Sequence, residues 1–316
     1  MTRKPLGRSG LEVSEIGLGC GSFGGIGSAA ETRGKGASEA EAFAIMDAAV
    51  EIGINWFDTA DAYAGGESER MIGRWLKARP GMRERLLIGT KVGNQVGDAP
   101  ADRGLSRRHI LRQIDASLRS LGVDRVDMYL VHQPDPETPL VETMRALDEV
   151  VRSGKARALG ACNLSVDELR KSLEISKREG LARFEWVQNS FSLLDRADET
   201  ESMPICAEFG LGHTPYSPLA GGWLTGKYRK GEPVQSGTRS QVMPGPYERY
   251  RSDATFDFLD RLRDYARANG LEMGAVALRW VIDHPGVTAP LIGPKSVKQL
   301  ETARQALEIK NQTFRT

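Results

Sequence analysis

One alternation runs the length of this chain. A short run of β-branched or aromatic residues is followed by a loop, and then by a segment whose apolar residues recur at helical spacing. Parallel strands need a long crossover between them, and a helix supplies it, so the repeat confines the chain to parallel α/β architectures. Strands are predicted at about residues 15–20, 54–58, 86–91, 127–132, 157–162, 184–188, 211–216 and 289–293. Eight such units close a TIM-type barrel. The expected fold is therefore α/β, a (β/α)8 TIM barrel with a short N-terminal hairpin over Leu6–Val13 and long active-site loops. One barrel domain would take all of residues 1–316.

Helix ends support the register. Ser38-x-x-Glu41 and Ser165-x-x-Glu168 have the spacing of capping boxes, in which each side chain satisfies the other residue's orphan backbone N–H. Apolar stripes follow: Ala42, Met46, Ala49 and Val50 before Gly53; Ile110, Ile114, Leu118 and Leu121 before Gly122; Leu140, Met144, Leu147 and Val151 before Gly154. Residues 24–37 and 229–251 are loops long enough to be functional.

Gly19-Cys20-Gly21-Ser22-Phe23-Gly24 matches G-x-G-x-x-G, the fingerprint of a doubly wound dinucleotide fold. That fingerprint works only when a helix opens directly off the glycine loop and holds the pyrophosphate at its N-terminus. Here the next helix is predicted only near Ser38, and the chain carries 35 glycines, so a chance match is cheap. The glycines are better understood as letting backbone approach a ligand at a barrel mouth.

Charge and cysteine content narrow the function classes. Formal net charge is +1 with both signs interspersed, which gives no footprint for nucleic acid and no polybasic membrane patch. No stretch nears the roughly 20 apolar residues of a membrane span, and Met-Thr-Arg-Lys-Pro opens no secretory signal. Cys20, Cys162 and Cys206 are too few and too scattered for a disulfide framework or a metal site, and the four histidines are equally dispersed. A cytoplasmic protein with reduced thiols is the plain expectation, with oligomeric state left open.

Polar residues at the C-terminal ends of barrel strands are the catalytic candidates. The second strand runs into Asp58 and, five residues on, Tyr63; the third ends in Thr90-Lys91; the fourth ends in Leu130-Val131-His132. Reducing a carbonyl with a hydride leaves an alkoxide that needs a proton. A phenol can donate it. A buried ammonium about 4 Å away would favour the phenolate by roughly 4 kcal/mol at an effective dielectric of about 20, so Lys91 is expected to lower Tyr63 towards neutral pH. Asp58 would keep the lysine charged, and His132 would add a hydrogen bond to the carbonyl oxygen. Taken singly, each residue is as well explained by core packing or an ordinary ion pair; together, at consecutive strand ends, they point to chemistry.

These residues, in this order, resemble the tetrad of the aldo-keto reductase family. Further matches run from Leu6-Gly7-Arg8-Ser9-Gly10 through Gly160-Ala161-Cys162-Asn163 to Tyr216-Ser217-Pro218-Leu219, Leu224-Thr225-Gly226-Lys227-Tyr228 and Ala277-Leu278-Arg279-Trp280. Within the family the chain is similar to the bacterial branch that also resembles potassium-channel β subunits. The resemblance implies Asp58, Tyr63, Lys91 and His132 as catalytic residues. It implies Asn163 and Gln188 on the nicotinamide carboxamide, with Cys162 and Gly21 nearby, and Tyr216 stacked on the ring. Ser217, Pro218, Leu219, Gly221, Leu224 and Lys227 would wrap the pyrophosphate, and Gly293, Lys295, Ser296 and Gln299 would hold the adenosine end. Lys295 offers a cation for a 2′-phosphate, which favours NADPH over NADH without excluding the latter. Trp56, Tyr63, Asn94 and the 229–251 loop would border a small-molecule carbonyl substrate, with packing inside the barrel an equal alternative for Trp56 because strand positions alternate between interior and helix layer.

Three departures stand out. Cys162 occupies a position where the family usually has Ser. The strand-seven segment Gly212-His213-Thr214-Pro215-Tyr216 is polar and contains a proline. Thr302 and Ala303 stand where the family commonly has Glu and Asn, which leaves its adenine contacts without their usual partners; Arg304 follows directly. Two other functions remain compatible with the same residues: a cofactor-binding regulatory subunit with little turnover, and a dehydrogenase acting oxidatively on an alcohol or sugar hemiacetal.

Overall fold

The chain opens with a hairpin. In a computed structural model that describes residues 1–310 and Phe314, β1 (Arg3–Pro5) pairs antiparallel with β2 (Glu12–Ser14). The expected hairpin is present, with its arms displaced outward so that residues 6–11 form the turn. Leu6 and Leu11 point inward from that turn and plug the N-terminal end of the barrel.

Eight parallel strands follow: β3 (Gly17–Gly19), β4 (Trp56–Asp58), β5 (Leu87–Val92), β6 (Val126–Val131), β7 (Ala156–Cys162), β8 (Phe184–Gln188), β9 (Gly212–His213) and β10 (Leu291–Ile292). Their order is β10-β3-β4-β5-β6-β7-β8-β9. The seam between the outer two is closed by backbone hydrogen bonds, from Leu291 N–H to Pro215 O and from Thr288 N–H to His213 O, both 2.8 Å. Pro215 has no N–H to offer a ladder, so β9 stops after two residues and the seam uses its carbonyl instead. The result is a (β/α)8 barrel, as the alternation predicts.

Both capping boxes form as read, Ser38 with Glu41 and Ser165 with Glu168. The helix over Arg107–Leu121 buries Ile110, Ile114 and Leu121 against the strands and ends on Gly122, whose φ of 65° is open to glycine at little cost. Strand side chains alternate between this outer helical layer and the barrel interior. Inside lie Trp56, Met128, Leu130, Trp186 and Ala289. The two tryptophans fit because their neighbours on adjacent strands are glycines. A Cβ on Gly17 would fall 2.2 Å from the Trp56 ring, and one on Gly160 would fall 2.3 Å from Trp186. Among the described residues no helix is long and apolar enough to cross a membrane.

Candidate active site

Parallel register brings the C-terminal strand ends to one rim. Asp58 lies opposite Gly89, Lys91 opposite Leu130, and Cys162 opposite Gln188. Lys91 and Asp58 form a buried ion pair behind that rim, and the same ammonium donates to Thr59 O at 2.9 Å. The Lys91 Nζ is 3.4 Å from the Tyr63 hydroxyl. His132 stands edge-on to the Tyr63 ring with centroids 5.4 Å apart, and Gly21 packs on the same ring, where a Cβ would come within 3.3 Å of it. The four expected catalytic residues therefore converge.

Their electrostatics differ from expectation in one respect. Burial lowers the Lys91 ammonium, but the charge of Asp58, with Tyr63 and Cys162, outweighs it and leaves lysine held above its ordinary value. Burial likewise dominates at Tyr63 and raises the phenol above its ordinary 10, with Lys91 pulling the other way. The expected fall towards neutral pH is not found. The lysine's charge is largely matched by Asp58, while the phenolate would lose its hydration. A phenol that keeps its proton is suited to donate it.

Burial and then Lys91 hold His132 well below its ordinary 6.5, so the ring is neutral. Its Nδ1 accepts from Asn94 Nδ2 at 3.1 Å, which places the ring proton on Nε2, the nitrogen free to donate. Asn94 Nδ2 also donates to Ser28 Oγ at 3.2 Å.

A cavity of about 660 Å³ runs from this rim across the barrel mouth. Tyr63, His132, Cys162, Asn163, Gln188, Tyr216, Ser217, Pro218, Leu219, Gly221, Lys227, Gly293, Lys295 and Gln299 all line it, with Gly21 and Asp58. Gln188 donates to Asp58 at 3.2 Å and accepts from the Cys162 thiol at 3.4 Å, so Cys162 takes up a hydroxyl's role in this chain. Asn163 sits at a φ of 59° and Ser217 at 58°, and such left-handed non-glycine residues concentrate where a site requires them.

Several expected residues fall elsewhere. Trp56 is fully buried inside the barrel, its indole N–H on Ser14 O at 3.2 Å, and does not reach the cavity. Leu224 turns into the core with Trp223 and Val276. Ser296 begins the final helix without touching the cavity wall. Arg304 pairs with Glu301 and Glu308 on that helix's outer face. Thr302 and Ala303 do line the cavity, presenting a hydroxyl bonded to Glu272 and a methyl group, so the departure from the family's common Glu and Asn falls at the cavity wall.

The 229–251 loop also reaches the cavity. Gln235–Arg239 and Tyr247 cover the far end of the cavity, and Trp223 donates to Ser240 Oγ at 2.9 Å to hold the loop there. Arg239 was missed from sequence because nothing local marks it; only the folded loop brings it beside Lys227 and Lys295. Burial, then Arg239 and Lys227, lower the Lys295 ammonium. Among the described residues none of these three cations forms an ion pair. A cluster of unpaired cations in a concave wall favours an anionic ligand.

Comparison with known proteins agrees with the geometry. The Aldo/keto reductase family model matches residues 15–314. The chain is 36% identical to an uncharacterized oxidoreductase of Bacillus subtilis (strain 168), covering 96% of this chain and 90% of that one. It is 34% identical to the versiconal hemiacetal acetate reductase of Aspergillus parasiticus, over 96% of this chain and 92% of that one. A probable voltage-gated potassium channel subunit beta of Oryza sativa subsp. japonica is 32% identical, over 98% and 92% respectively. With a matching barrel, a convergent rim and a family match over nearly its whole length, the chain belongs to the Aldo/keto reductase family of oxidoreductases.

Proposed function

We propose that this chain is an NADPH-dependent reductase of aldehydes or ketones, with Tyr63 as the proton donor. The observation that carries this is the Tyr63 hydroxyl at the cavity wall, 3.4 Å from Lys91, which is ion-paired with Asp58. A dinucleotide fits the residues present. Gly19, Gly21, Gly221 and Gly293 line the cavity without side chains, and Lys227, Arg239 and Lys295 offer unpaired positive charge at its far end. When bound, the reduced nicotinamide supplies a hydride to the carbonyl carbon.

The protein's own part is proton transfer and positioning. Tyr63 gives its hydroxyl proton to the carbonyl oxygen, and Lys91 stabilises the phenolate left behind. His132 Nε2–H donates to the same oxygen. Asn163 and Gln188 hold the carboxamide, Tyr216 packs on the ring, and the segment from Ser217 to Lys227 wraps the phosphates. Arg239 and Lys295 together favour a 2′-phosphate. The whole of residues 1–316 would act as one domain on a small-molecule carbonyl, in the cytoplasm.

NADPH oxidation across a panel of aldehydes, comparing wild type with Tyr63→Phe, tests the proposal. Turnover by the wild type, lost in the variant while NADPH still binds, is the expected result. Binding without turnover across the panel would instead favour a cofactor-binding regulatory subunit.

A further inference from the structure

The polar strand-seven segment has a use that the reaction chemistry does not explain. His213 sits on β9, at the barrel seam, with its side chain fully enclosed. Its Nε2 donates to Asp198 Oδ2 at 2.7 Å, and Asp198 is itself buried in the turn Ala197–Glu199 that follows β8. Two burials of this kind are costly unless the groups serve each other or a third partner.

The third partner is Asn189. Its Nδ2 donates to Asp198 Oδ1 at 3.1 Å and to Ser202 Oγ at 2.8 Å. A side-chain amide can face either way in a pocket, and a carboxylate can only accept. Asp198 therefore selects the orientation that leaves Asn189 Oδ1 on the opposite side. That oxygen accepts the backbone N–H of Asn163 at 2.8 Å. Were the amide reversed, an NH2 would face the Asn163 N–H, and two donors would be left against each other.

Asn163 needs this hold. Its φ of 59° is a conformation most L residues avoid. Its side chain donates to His132 O at 2.9 Å and accepts from the Tyr216 hydroxyl at 2.9 Å. Tyr216 is tied to the same place by its own N–H on Asn189 O, also 2.9 Å. One chain of contacts thus runs from a buried histidine at the seam to the two residues facing the nicotinamide.

We infer that His213 and Asp198 are positioning residues that fix the orientation of the Asn189 amide and, through it, the seating of Asn163 and Tyr216 at the nicotinamide end of the cavity. The inference rests on the nicotinamide assignment above. It is confined to that end: neither residue touches the wall formed by Lys227, Arg239 and Lys295.

The test separates the two ends of the cofactor. Wild type, His213→Met, His213→Gln and Asp198→Asn are titrated with NADPH and with adenosine 2′,5′-bisphosphate, which lacks the nicotinamide. His213→Met removes the donor and should weaken NADPH about tenfold, raising its KM more than it lowers kcat. Adenosine bisphosphate should bind both proteins alike, within about twofold. His213→Gln restores an N–H donor and should recover most of the loss. Asp198→Asn, which no longer dictates the amide's orientation, should behave like His213→Met. Equal NADPH affinity in all four proteins would overturn the inference, as would parallel loss of both ligands, since that reports a general folding defect. Failure of the wild type to bind either ligand would instead overturn the cofactor assignment. If His213→Met does not fold, Asp198→Asn and His213→Gln carry the same comparison.

Discussion

Asn94 donates its side-chain N–H to Nδ1 of His132 across 3.1 Å, and that single contact sets the tautomer of the neutral imidazole. With Nδ1 occupied as an acceptor, the proton lies on Nε2. Asn94→Leu keeps the volume and removes the donor, so the ring loses its fixed tautomer. Steady-state kinetics are expected to show kcat/KM down about tenfold, with cofactor affinity unchanged. An unchanged kcat/KM would show that the tautomer is set by something else.

The pH profile follows from two shifts of opposite sign. His132 is held well below 6.5, so the folded site stays neutral as pH falls past the point where the unfolded chain takes up a proton. Tyr63 is raised above 10, so the phenol proposed as proton donor keeps its proton as pH climbs. Reduction, followed as kcat/KM for the carbonyl, is expected to stay level between 6.5 and 10. A limb centred inside that range would contradict these assignments.

Arg239 and Lys295 are the test of cofactor choice. Arg239→Ala should weaken NADPH by about tenfold to a hundredfold, the range for a hydrogen bond to a charged group. NADH, which has no 2′-phosphate, should be affected far less. Fluorescence titration of both cofactors checks this, and equal losses for the two would remove the basis for preferring NADPH.

Burial and the nearby Glu69 raise the Asp61 carboxyl well above its ordinary 3.8. A carboxyl with a raised folded value contributes stability below its unfolded pKa and loses it as pH rises, because the unfolded chain releases the proton first. Asp61→Asn abolishes that loss. Chemical denaturation at a series of pH values should therefore show the variant gaining on wild type from about pH 4 upward. A constant difference across the series would mean that Asp61 titrates as an ordinary surface carboxyl.

Much of this was legible in the chain itself, for local reasons. The helix caps at Ser38 and Ser165 are four-residue signals, and the strands β5 to β8 announce themselves as short apolar runs. The strand-end residues Asp58, Lys91 and His132 follow once the strands are placed. What was not legible is what depends on contacts remote in sequence. The sign of the Tyr63 shift turns on how completely the fold buries it. Arg239 reaches Lys295 only through the path of a long loop. The arms of β9 and β10 are short because Pro215 ends one ladder, although the proline itself was visible. Trp56 stands at the strand end in sequence and inside the barrel in space, since alternation along β4 assigns its face and not its height.

Packing of that interior gives a prediction about stability. Gly17→Ala would place a methyl carbon 2.2 Å from the Trp56 ring. The barrel cannot widen without disturbing its neighbouring ladders, so the cost should reach about 3 kcal/mol. Adding Trp56→Leu should recover a large part of it in a double-mutant comparison of denaturation midpoints. Simple additivity of the two changes would show that they do not share the space.

Tyr63 is proposed to protonate a carbonyl oxygen while hydride arrives from a nicotinamide. The most direct measurement uses NADPH deuterated at the transferable C4 position, with an aldehyde that the wild type reduces. Mass spectrometry of the product should find one deuterium on the carbinol carbon. Tyr63→Phe should bind the same cofactor with unchanged affinity and form product slower by about 10² to 10⁴-fold. Product without deuterium would contradict hydride transfer from the nicotinamide, and a Tyr63→Phe enzyme as fast as wild type would contradict Tyr63 as proton donor.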